Sequence, residues 1–239
     1  MPGPSSSVPG IFDRLIVRCP LNRRLPTSMS GAVGGETSPY PYFRDHVILR
    51  PMVIVNTLFE ERVDQLFLSM RHLHQALDNA GIPYEIIGGL ATFIHLERVD
   101  PALSRLTRDI DAIVRRADLG RIREAVQPFG LIYRHVAGVD MLVDAENPKA
   151  KTAIHLLMAG EKVRPDSPAP TPELGTGEMI MGARIASIDH LLTMKLTSFR
   201  LKDKVHIQDL DGVGLITPEI EAGLSELLRA RLAEVRASD

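Results

Sequence analysis

Two aspartates that stand one residue apart at the start of an apolar run constrain the fold of this chain more than any other feature. Asp109 and Asp111 open the predicted strand 108–114, which ends in apolar residues as buried strands do. Because side chains alternate between the faces of a strand, both carboxylates point to one face, roughly 6.5–7 Å apart. Such a pair can hold a divalent cation. The alternative is an exposed strand start, in which Asp109 pairs with Arg105 or Arg108.

A glycine pair precedes the aspartates by about twenty residues. Gly88 and Gly89 follow the predicted strand Tyr84–Ile87 and lead into a predicted helix over 90–96. Glycine lets the backbone approach a ligand closely, and amides at a helix N-terminus attract phosphate groups. Most glycine pairs are simply turns, so this signal is weak alone. Together with the aspartate pair it indicates phosphate chemistry.

Composition and charge limit the class of protein. The chain has 239 residues, 44% of them hydrophobic, and a net charge of −2, which gives no overall attraction to nucleic acid or anionic membranes. The single cysteine, Cys19, excludes an internal disulfide framework and a cysteine-based zinc site, and it fits a reducing compartment. We find neither an 18-residue apolar run nor a signal-peptide pattern. We therefore expect a cytoplasmic protein without a membrane partner.

The order of patterns predicts an α+β fold, with a mixed β-sheet flanked by helices and a helical C-terminal part. Residues 1–51 are rich in Pro, Gly and Ser and are predicted to be disordered. Residues 52–162 form the predicted α/β core, and residues 163–182 form a Pro- and Gly-rich loop. Residues 183–239 form the predicted helical part, which completes a cleft with the core.

Local signals place the individual elements. Apolar residues at steps of three and four predict an amphipathic helix from Thr57, and Asp118 and Ser187 are the expected N-caps of two further helices. Pro218 is the expected first residue of one C-terminal helix. The apolar residues predicted to face inward on that helix are Ile220, Leu224, Leu227, Leu228 and Leu232. The further predicted strands are 131–136, 139–143 and 152–158.

Three motifs together resemble the nucleotidyltransferase superfamily with the polymerase-beta-like fold. The resemblance covers about residues 57–236 and is nearest to the nucleotidyltransferases of the abortive-infection toxin type and to related uncharacterised bacterial proteins. The motifs are Ile87-Gly88-Gly89-Leu90-Ala91, Thr107-Arg108-Asp109-Ile110-Asp111, and a helical stretch with Met194-Lys195-Leu196, Arg200, Lys202-Asp203 and Asp209-Leu210.

The resemblance implies a metal-dependent transfer of a nucleoside monophosphate from an NTP to an acceptor. The acceptor is a protein hydroxyl, a tRNA end or a small molecule, and an antitoxin-type protein is an implied partner. By this resemblance Asp109 and Asp111 hold Mg²⁺, for which Mn²⁺ can substitute. The residues assigned to the nucleotide are Gly88, Gly89, Arg108, Lys195 and Asp203.

One position departs from the pattern of the superfamily. Its active members carry a third carboxylate on a neighbouring strand, and the matching run here, 153–157, has His155 in that place. Histidine can accept a proton near neutral pH, so we assign His155 as the catalytic base. Asp140 or Asp144 on the preceding strand is the alternative source of the carboxylate, and a core histidine without a catalytic role is the third option.

The departure leaves functions of different classes open. A catalytically inactive module that keeps the nucleotide cleft and serves as a regulator is the main alternative to the enzyme. An RNA-binding protein that uses basic C-terminal helices is a third, but the chain has no Trp and only 5% aromatic residues. A carboxylate that reaches Asp109 and Asp111 from a neighbouring strand would favour the enzyme.

Overall fold

The computed structural model describes residues 49–105, 107–146, 148 and 153–238. The predicted disordered segment therefore lies outside the described residues, apart from its last three positions. The elements are α1 (Leu49–Asn79), β1 (Tyr84–Ile87), α2 (Gly88–Val99), β2 (Ile110–Val114), α3 (Leu119–Ala125), β3 (Leu131–Val136), β4 (Val139–Asp144), β5 (Ile154–Met158), β6 (Glu178–Ile180), β7 (Ala183–Ile185), α4 (Ile188–Ser198), α5 (Leu201–Gly212), α6 (Pro218–Gly223) and α7 (Glu226–Ala237).

The strands form one seven-stranded mixed sheet. Its order is β3-β4-β5-β2-β1-β7-β6. The pairs β2–β5 and β1–β7 are parallel, and the other neighbours are antiparallel. Helices flank the sheet and four of them follow its last strand in the chain. The predicted α+β class is confirmed in these features, and the central strands β1, β2 and β5 are those that carry the predicted site.

The core explains why the first long helix lies against the sheet. Met70, Leu73 and Leu77 of α1 are fully buried and recur at steps of three and four residues, which puts them on one helical face. Each buried side chain of this size stabilises the fold by about 1.5–3 kcal/mol. The predicted amphipathic helix is confirmed, although α1 begins at Leu49 and not at Thr57.

A β-hairpin occupies a region that the sequence predicts to be loop and helix. β6 lies at the end of the predicted loop 163–182, and β7 opens the predicted helical part. Met181 and Gly182 connect them with φ values of 52° and 78°, the backbone of a tight two-residue hairpin turn. Each strand has only three residues, so neither shows the alternation that identifies a strand in a sequence.

Strand boundaries also differ from the prediction. β2 begins at Ile110, so Asp109 directly precedes the strand and only Asp111 lies within it. β4 extends to Asp144 and β5 begins at Ile154. Across the described residues, no helix combines the length and the apolar character needed to cross a membrane.

The predicted helix caps are confirmed only in part. Thr217 accepts a hydrogen bond from the amide of Ile220, and Pro218 is the first residue of α6 as expected. Asp118 lies in a short 3-10 turn, and its carboxylate accepts a hydrogen bond from Arg121 instead of capping α3. Ser187 precedes α4, but its hydroxyl contacts Thr176. The side chains of Asp118 and Ser187 therefore contact Arg121 and Thr176 instead of capping a helix, which the local sequence does not reveal.

The single C-terminal helix of the prediction is two helices. α6 ends at Gly223, and Ser225 caps α7 by accepting a hydrogen bond from the amide of Leu228. Leu224 and Leu228 are buried as expected, but Leu227 is 52% exposed, so its predicted inward position is wrong.

Candidate active site

A row of four side chains crosses the centre of the sheet on one face. The register pairs Met141 of β4 with His155 of β5, His155 with Asp111 of β2, and Asp111 with Ile87 of β1. Paired residues of neighbouring strands point to the same face. His155 Nδ1 lies 3.3 Å from Asp111 Oδ1, and each side chain is 30% exposed. The sheet therefore brings the predicted base beside one of the two predicted metal ligands.

The two alternative carboxylates lie on the opposite face of the sheet. Asp140 pairs with Leu156, the neighbour of His155 in the chain, and successive residues of a strand face opposite ways. Asp144 lies four residues beyond Asp140 on β4 and shares its face. Asp140 instead accepts hydrogen bonds within the β3–β4 hairpin. The suggestion that either aspartate supplies the third carboxylate is therefore wrong.

Asp111 raises the basicity of His155. The hydrogen bond to Asp111 is the main reason why the pKa of His155 lies above its usual value, and the charges of Asp111 and Asp109 add to it while partial burial opposes it. Because carboxylate oxygens only accept, the Nδ1 of His155 donates in this contact, and Nε2 carries the lone pair of the neutral ring. The ring can therefore accept a proton at Nε2.

The glycine pair packs directly against the aspartate strand. Gly88 has a φ of +76°, which favours glycine, and a Cβ at this position would overlap Asp111 Oδ2. A Cβ on Gly89 would lie 2.7 Å from Thr107 Oγ1. The backbone amide of Asp109 donates to the same Thr107 oxygen over 3.4 Å. The start of α2 therefore needs glycine at position 88 to approach Asp111 and at position 89 to approach Thr107.

Gly88→Ala is expected to displace the Asp111 carboxylate and to destabilise the protein, because the new Cβ and Asp111 Oδ2 cannot share one volume. Gly130→Ala is the matched control, since Gly130 has a similar φ of +73° but no atom within 4 Å of the new Cβ. Thermal unfolding and the NMR signals of Asp111 measure both effects. We expect a stability loss of about 1 kcal/mol in both variants from the backbone alone, and an additional loss only in Gly88→Ala. Equal losses and an unmoved Asp111 would contradict the packing described here.

A cavity of about 370 Å³ opens beside this row of residues. Its lining includes Gly88, Asp111, Lys195 and Asp203, so four of the predicted site residues meet in one space. The segment 163–168 of the Pro-rich loop and Arg200 and Arg231 of the C-terminal part supply other parts of its wall. The complete lining consists of Ile87, Gly88, Asp111, Leu157, Val163, Arg164, Asp166, Ser167, Pro168, Leu191, Met194, Lys195, Thr197, Ser198, Arg200, Asp203 and Arg231.

The other predicted residues stand outside that lining. Arg108 is exposed, Gly89 faces Thr107, and Asp109 and His155 lie beside Asp111 without lining the cavity. Asp209, a residue of the third motif, accepts a hydrogen bond of 3.0 Å from Arg105. This contact joins the loop before β2 to α5, so Arg105 pairs with Asp209 and not with Asp109.

Lys195 is a buried cation in the cavity wall. It lies on α4, is 4% exposed, and its Nζ is 2.7 Å from His206 Nδ1 and 3.5 Å from Asp203 Oδ1. Burial lowers the pKa of Lys195 to about 8, against the opposing charges of Asp203 and Asp111. Burying a charged amine costs free energy unless a partner compensates it, so a ligand anion would find a cation here that water does not already solvate.

Asp203 is held in place by donors from the neighbouring residues Ser198 and Arg200. Its carboxylate accepts hydrogen bonds from the Ser198 hydroxyl at 2.7 Å, the Arg200 guanidinium at 2.8 Å and the Arg200 amide at 3.2 Å. Burial alone would raise the pKa of Asp203, but these hydrogen bonds and the charge of Lys195 hold the pKa below its usual value. Asp203 therefore remains an anion near Lys195, and its oxygens accept hydrogen bonds mainly from Ser198 and Arg200.

A buried glutamate holds the C-terminal end of the Pro- and Gly-rich loop 163–182 in place. Glu85 of β1 lies on the same sheet face as Ile87 and accepts hydrogen bonds from the amides of Gly175 and Gly177 at 2.8 and 2.9 Å. Burial would raise the pKa of Glu85, but hydrogen bonds from His190 and from these amides hold it low. The sequence did not identify Glu85, although an acidic residue inside an apolar strand is an unusual signal.

The carboxylates near the cavity are the candidate ligands for a divalent cation. Within the described part of the chain, no group of three or more His, Cys, Asp or Glu side chains is arranged to hold a metal ion. Asp109 and Asp111 provide two carboxylates, which is the number Mg²⁺ usually takes from a protein when substrate phosphates supply other oxygens. The residues present therefore fit a metal whose other ligands are phosphate oxygens of a substrate.

Comparison with known proteins gives structural similarity only. No family model and no curated protein matches the chain. The chain is similar to a solution structure of the antibiotic-resistance factor ANT(2'')-Ia, with 18% identity and a TM-score of 0.47 over 74% of this chain and 95% of the other. It is also similar to a crystal structure of ANT(2'')-Ia in complex with adenylyl-2''-tobramycin, with 16% identity and a TM-score of 0.45 over 73% and 98% of the two chains.

Proposed function

We propose that this protein is a metal-dependent nucleotidyltransferase that moves a nucleoside monophosphate from an NTP to an acceptor. The observation that carries the proposal is that Gly88, Asp111 and Lys195 line one cavity. Gly88 lies where β1 passes into α2, Asp111 lies on β2 and Lys195 lies on α4. These residues belong to the three separate motifs that resemble the superfamily. A glycine turn, a carboxylate and a buried cation form a suitable set for a metal-bound triphosphate.

Binding of the triphosphate is assigned to both walls of the cavity. Lys195 donates one hydrogen bond to a phosphate oxygen on the side of the leaving pyrophosphate, and the backbone at Gly88 and Gly89 approaches the same group at the start of α2. Asp109 and Asp111 hold Mg²⁺, or Mn²⁺ in its place. A metal held there would supply positive charge to neutralise the phosphate oxygens.

His155 is assigned to the proton of the acceptor. Its Nδ1 donates to Asp111, which fixes the tautomer and leaves Nε2 to accept. The acceptor hydroxyl oxygen forms a bond to the α-phosphorus, the bond from that phosphorus to the pyrophosphate oxygen breaks, and the hydroxyl proton moves to Nε2. Such base catalysis typically contributes 10²–10⁴-fold to a rate.

A nucleotide-binding regulator without transferase activity is the second candidate. The observation in its favour concerns the row of Met141, His155, Asp111 and Ile87 on neighbouring strands. Only Asp111 in this row is a carboxylate, whereas active members of the superfamily carry a further carboxylate on the neighbouring strand, where His155 lies here. Histidine is a poorer ligand for Mg²⁺ than a carboxylate. This candidate keeps the cavity and Lys195 but predicts no transfer.

A label-transfer assay tests the proposal. The protein is incubated with each NTP labelled at the α-phosphate, Mg²⁺ and a cell extract as the source of acceptors, and compared with Asp109→Asn/Asp111→Asn. We expect label on an acceptor with the wild type only. Metal-dependent NTP binding without any transfer would favour the regulator, and transfer that survives the double substitution would refute the metal assignment.

The acceptor and the partners are proposed only as classes. A protein hydroxyl, a tRNA end and a small molecule all offer the nucleophilic oxygen that the reaction needs. The mass of the labelled product distinguishes them. An antitoxin-type partner and a cytoplasmic location follow from the family resemblance and from composition, and they remain predictions.

A further inference from the structure

The shortest contact of Lys195 is with a histidine to which neither the motifs nor the proposed function assign a role. Lys195 Nζ lies 2.7 Å from His206 Nδ1 but 3.5 Å from Asp203 Oδ1. The imidazole is therefore the nearer of its two partners. The inference rests on the proposed function, because it concerns the lysine that is assigned to the triphosphate.

The helix α5 presents His206 and Asp203 to the same lysine. The two residues are three positions apart, which places them on one helical face. Asp203 is already occupied by Ser198 and Arg200, so its carboxylate cannot move toward Lys195 without losing those hydrogen bonds. His206 is thus the partner whose contact fixes where the Nζ atom lies.

The chemistry of the contact defines the state of both groups. An ammonium only donates, so His206 Nδ1 accepts and the neutral ring carries its proton on Nε2. Burial and the charge of Lys195 lower the pKa of His206 to about 4, with Lys202 adding to this effect and Asp203 and Asp209 opposing it. At neutral pH the imidazole is therefore an acceptor and not a competing cation.

We propose that His206 is a positioning residue of the triphosphate site, which holds the Lys195 ammonium in the cavity wall by accepting its hydrogen bond. An ammonium has three N–H bonds. One is directed to His206 and one to Asp203, so a single N–H remains for a phosphate oxygen in the cavity. His206 in this way turns a flexible lysine into an oriented donor.

Two substitutions separate positioning from space filling. His206→Leu removes the acceptor and keeps an apolar side chain of moderate size. His206→Asn keeps an acceptor at the right place, because its Oδ1 is bonded to Cγ as Nδ1 is in histidine. Without the acceptor, the Lys195 ammonium loses its shortest hydrogen bond, so its pKa falls and its orientation is lost.

The experiment uses two measurements on the full chain. NMR of protein labelled on lysine side chains gives the pKa of Lys195, with Lys195→Met to assign the signal. Calorimetry with inorganic triphosphate and Mg²⁺ gives the affinity of the site. We expect the pKa of Lys195 to be near 8 in the wild type and in His206→Asn, and clearly lower in His206→Leu. Triphosphate affinity is expected to fall about tenfold or more in His206→Leu and to change less than threefold in His206→Asn.

Two results would overturn the proposal. If His206→Leu leaves both the pKa of Lys195 and the triphosphate affinity unchanged, the contact between His206 and Lys195 does not position the ammonium. Equal losses in His206→Leu and His206→Asn would show that an acceptor at this position does not restore the site, so the hydrogen bond does not position Lys195. A wild type that binds no triphosphate would instead refute the proposed function, and the titration of Lys195 alone would then decide the role of His206.

Discussion

Asp111→Asn is expected to lower nucleotidyl transfer by about 10³-fold without unfolding the protein. The substitution removes one charge from the metal site and removes the anionic acceptor of His155 Nδ1. Metal ions contribute several kcal/mol of charge stabilisation in such reactions, and each 1.36 kcal/mol is a factor of ten in rate. Transfer of α-phosphate label at saturating NTP measures the loss. Circular dichroism and thermal unfolding measure the fold, which should persist because Asp111 is partly exposed.

Asp140→Asn is the matched control for this substitution. It makes the same chemical change two strands away in the sheet, but on the opposite face. We expect it to change stability, since Asp140 accepts hydrogen bonds from Tyr133 and His135, and to leave transfer within about threefold of the wild type. An equal loss of transfer in both variants would mean that the face assignment of the active site is wrong.

Lys195→Met is expected to weaken triphosphate binding by at least about tenfold and to lower the stability of the protein. A hydrogen-bonded contact with a charged group of this kind contributes about 1.5–3 kcal/mol. Methionine fills a similar volume without a charge, but it leaves the buried Asp203 carboxylate with Arg200 as its remaining cationic partner, and removing one partner of a buried ion pair is destabilising. Calorimetry with Mg²⁺ and triphosphate, together with denaturant unfolding, measures the two effects in one preparation.

The pH dependence of stability provides the second readout for Lys195. Its pKa is about 8 in the folded protein, against 10.5 for an ordinary lysine in an unfolded chain. The unfolded chain therefore binds more protons between these values, so the free energy of unfolding rises with pH across the window from 8 to 10.5. This contribution should be absent in Lys195→Met.

Lys202→Met is the control, because it changes an exposed lysine of α5 outside the cavity lining. This variant should keep the pH dependence of stability between pH 8 and 10.5. A loss of binding in Lys202→Met as large as in Lys195→Met would indicate general charge attraction and not a specific site.

The central part of the fold could be predicted because its signals are local. The run Tyr84–Ile87 and the glycine pair gave β1 and the start of α2, and the aspartate pair located β2 to within two residues. A long apolar period such as that of α1 contains many residues that agree with a helix, so tertiary contacts rarely change the predicted element. The strands β6 and β7 were missed because three residues are too few to show a period.

The remaining part of the site depends on register, which no local pattern contains. The sequence placed Asp140 and His155 on neighbouring strands but could not show that they face opposite sides of the sheet. A shift of one residue in the pairing would have reversed that result. The contact of His206 with Lys195 joins two helices, and the spacing of Asp203 and His206 by three residues was the one signal that could have suggested it.

The most direct test of the metal and nucleotide site is paramagnetic NMR with Mn²⁺ in place of Mg²⁺. Mn²⁺ is added to isotope-labelled protein together with an NTP, and the backbone signals that broaden locate the ion. We predict broadening at Gly88, Asp109, Asp111 and His155 that requires the NTP and disappears in Asp109→Asn/Asp111→Asn. Broadening elsewhere in the protein, or the same broadening in the double variant, would contradict the assignment of this cavity as the site of metal-dependent nucleotidyl transfer.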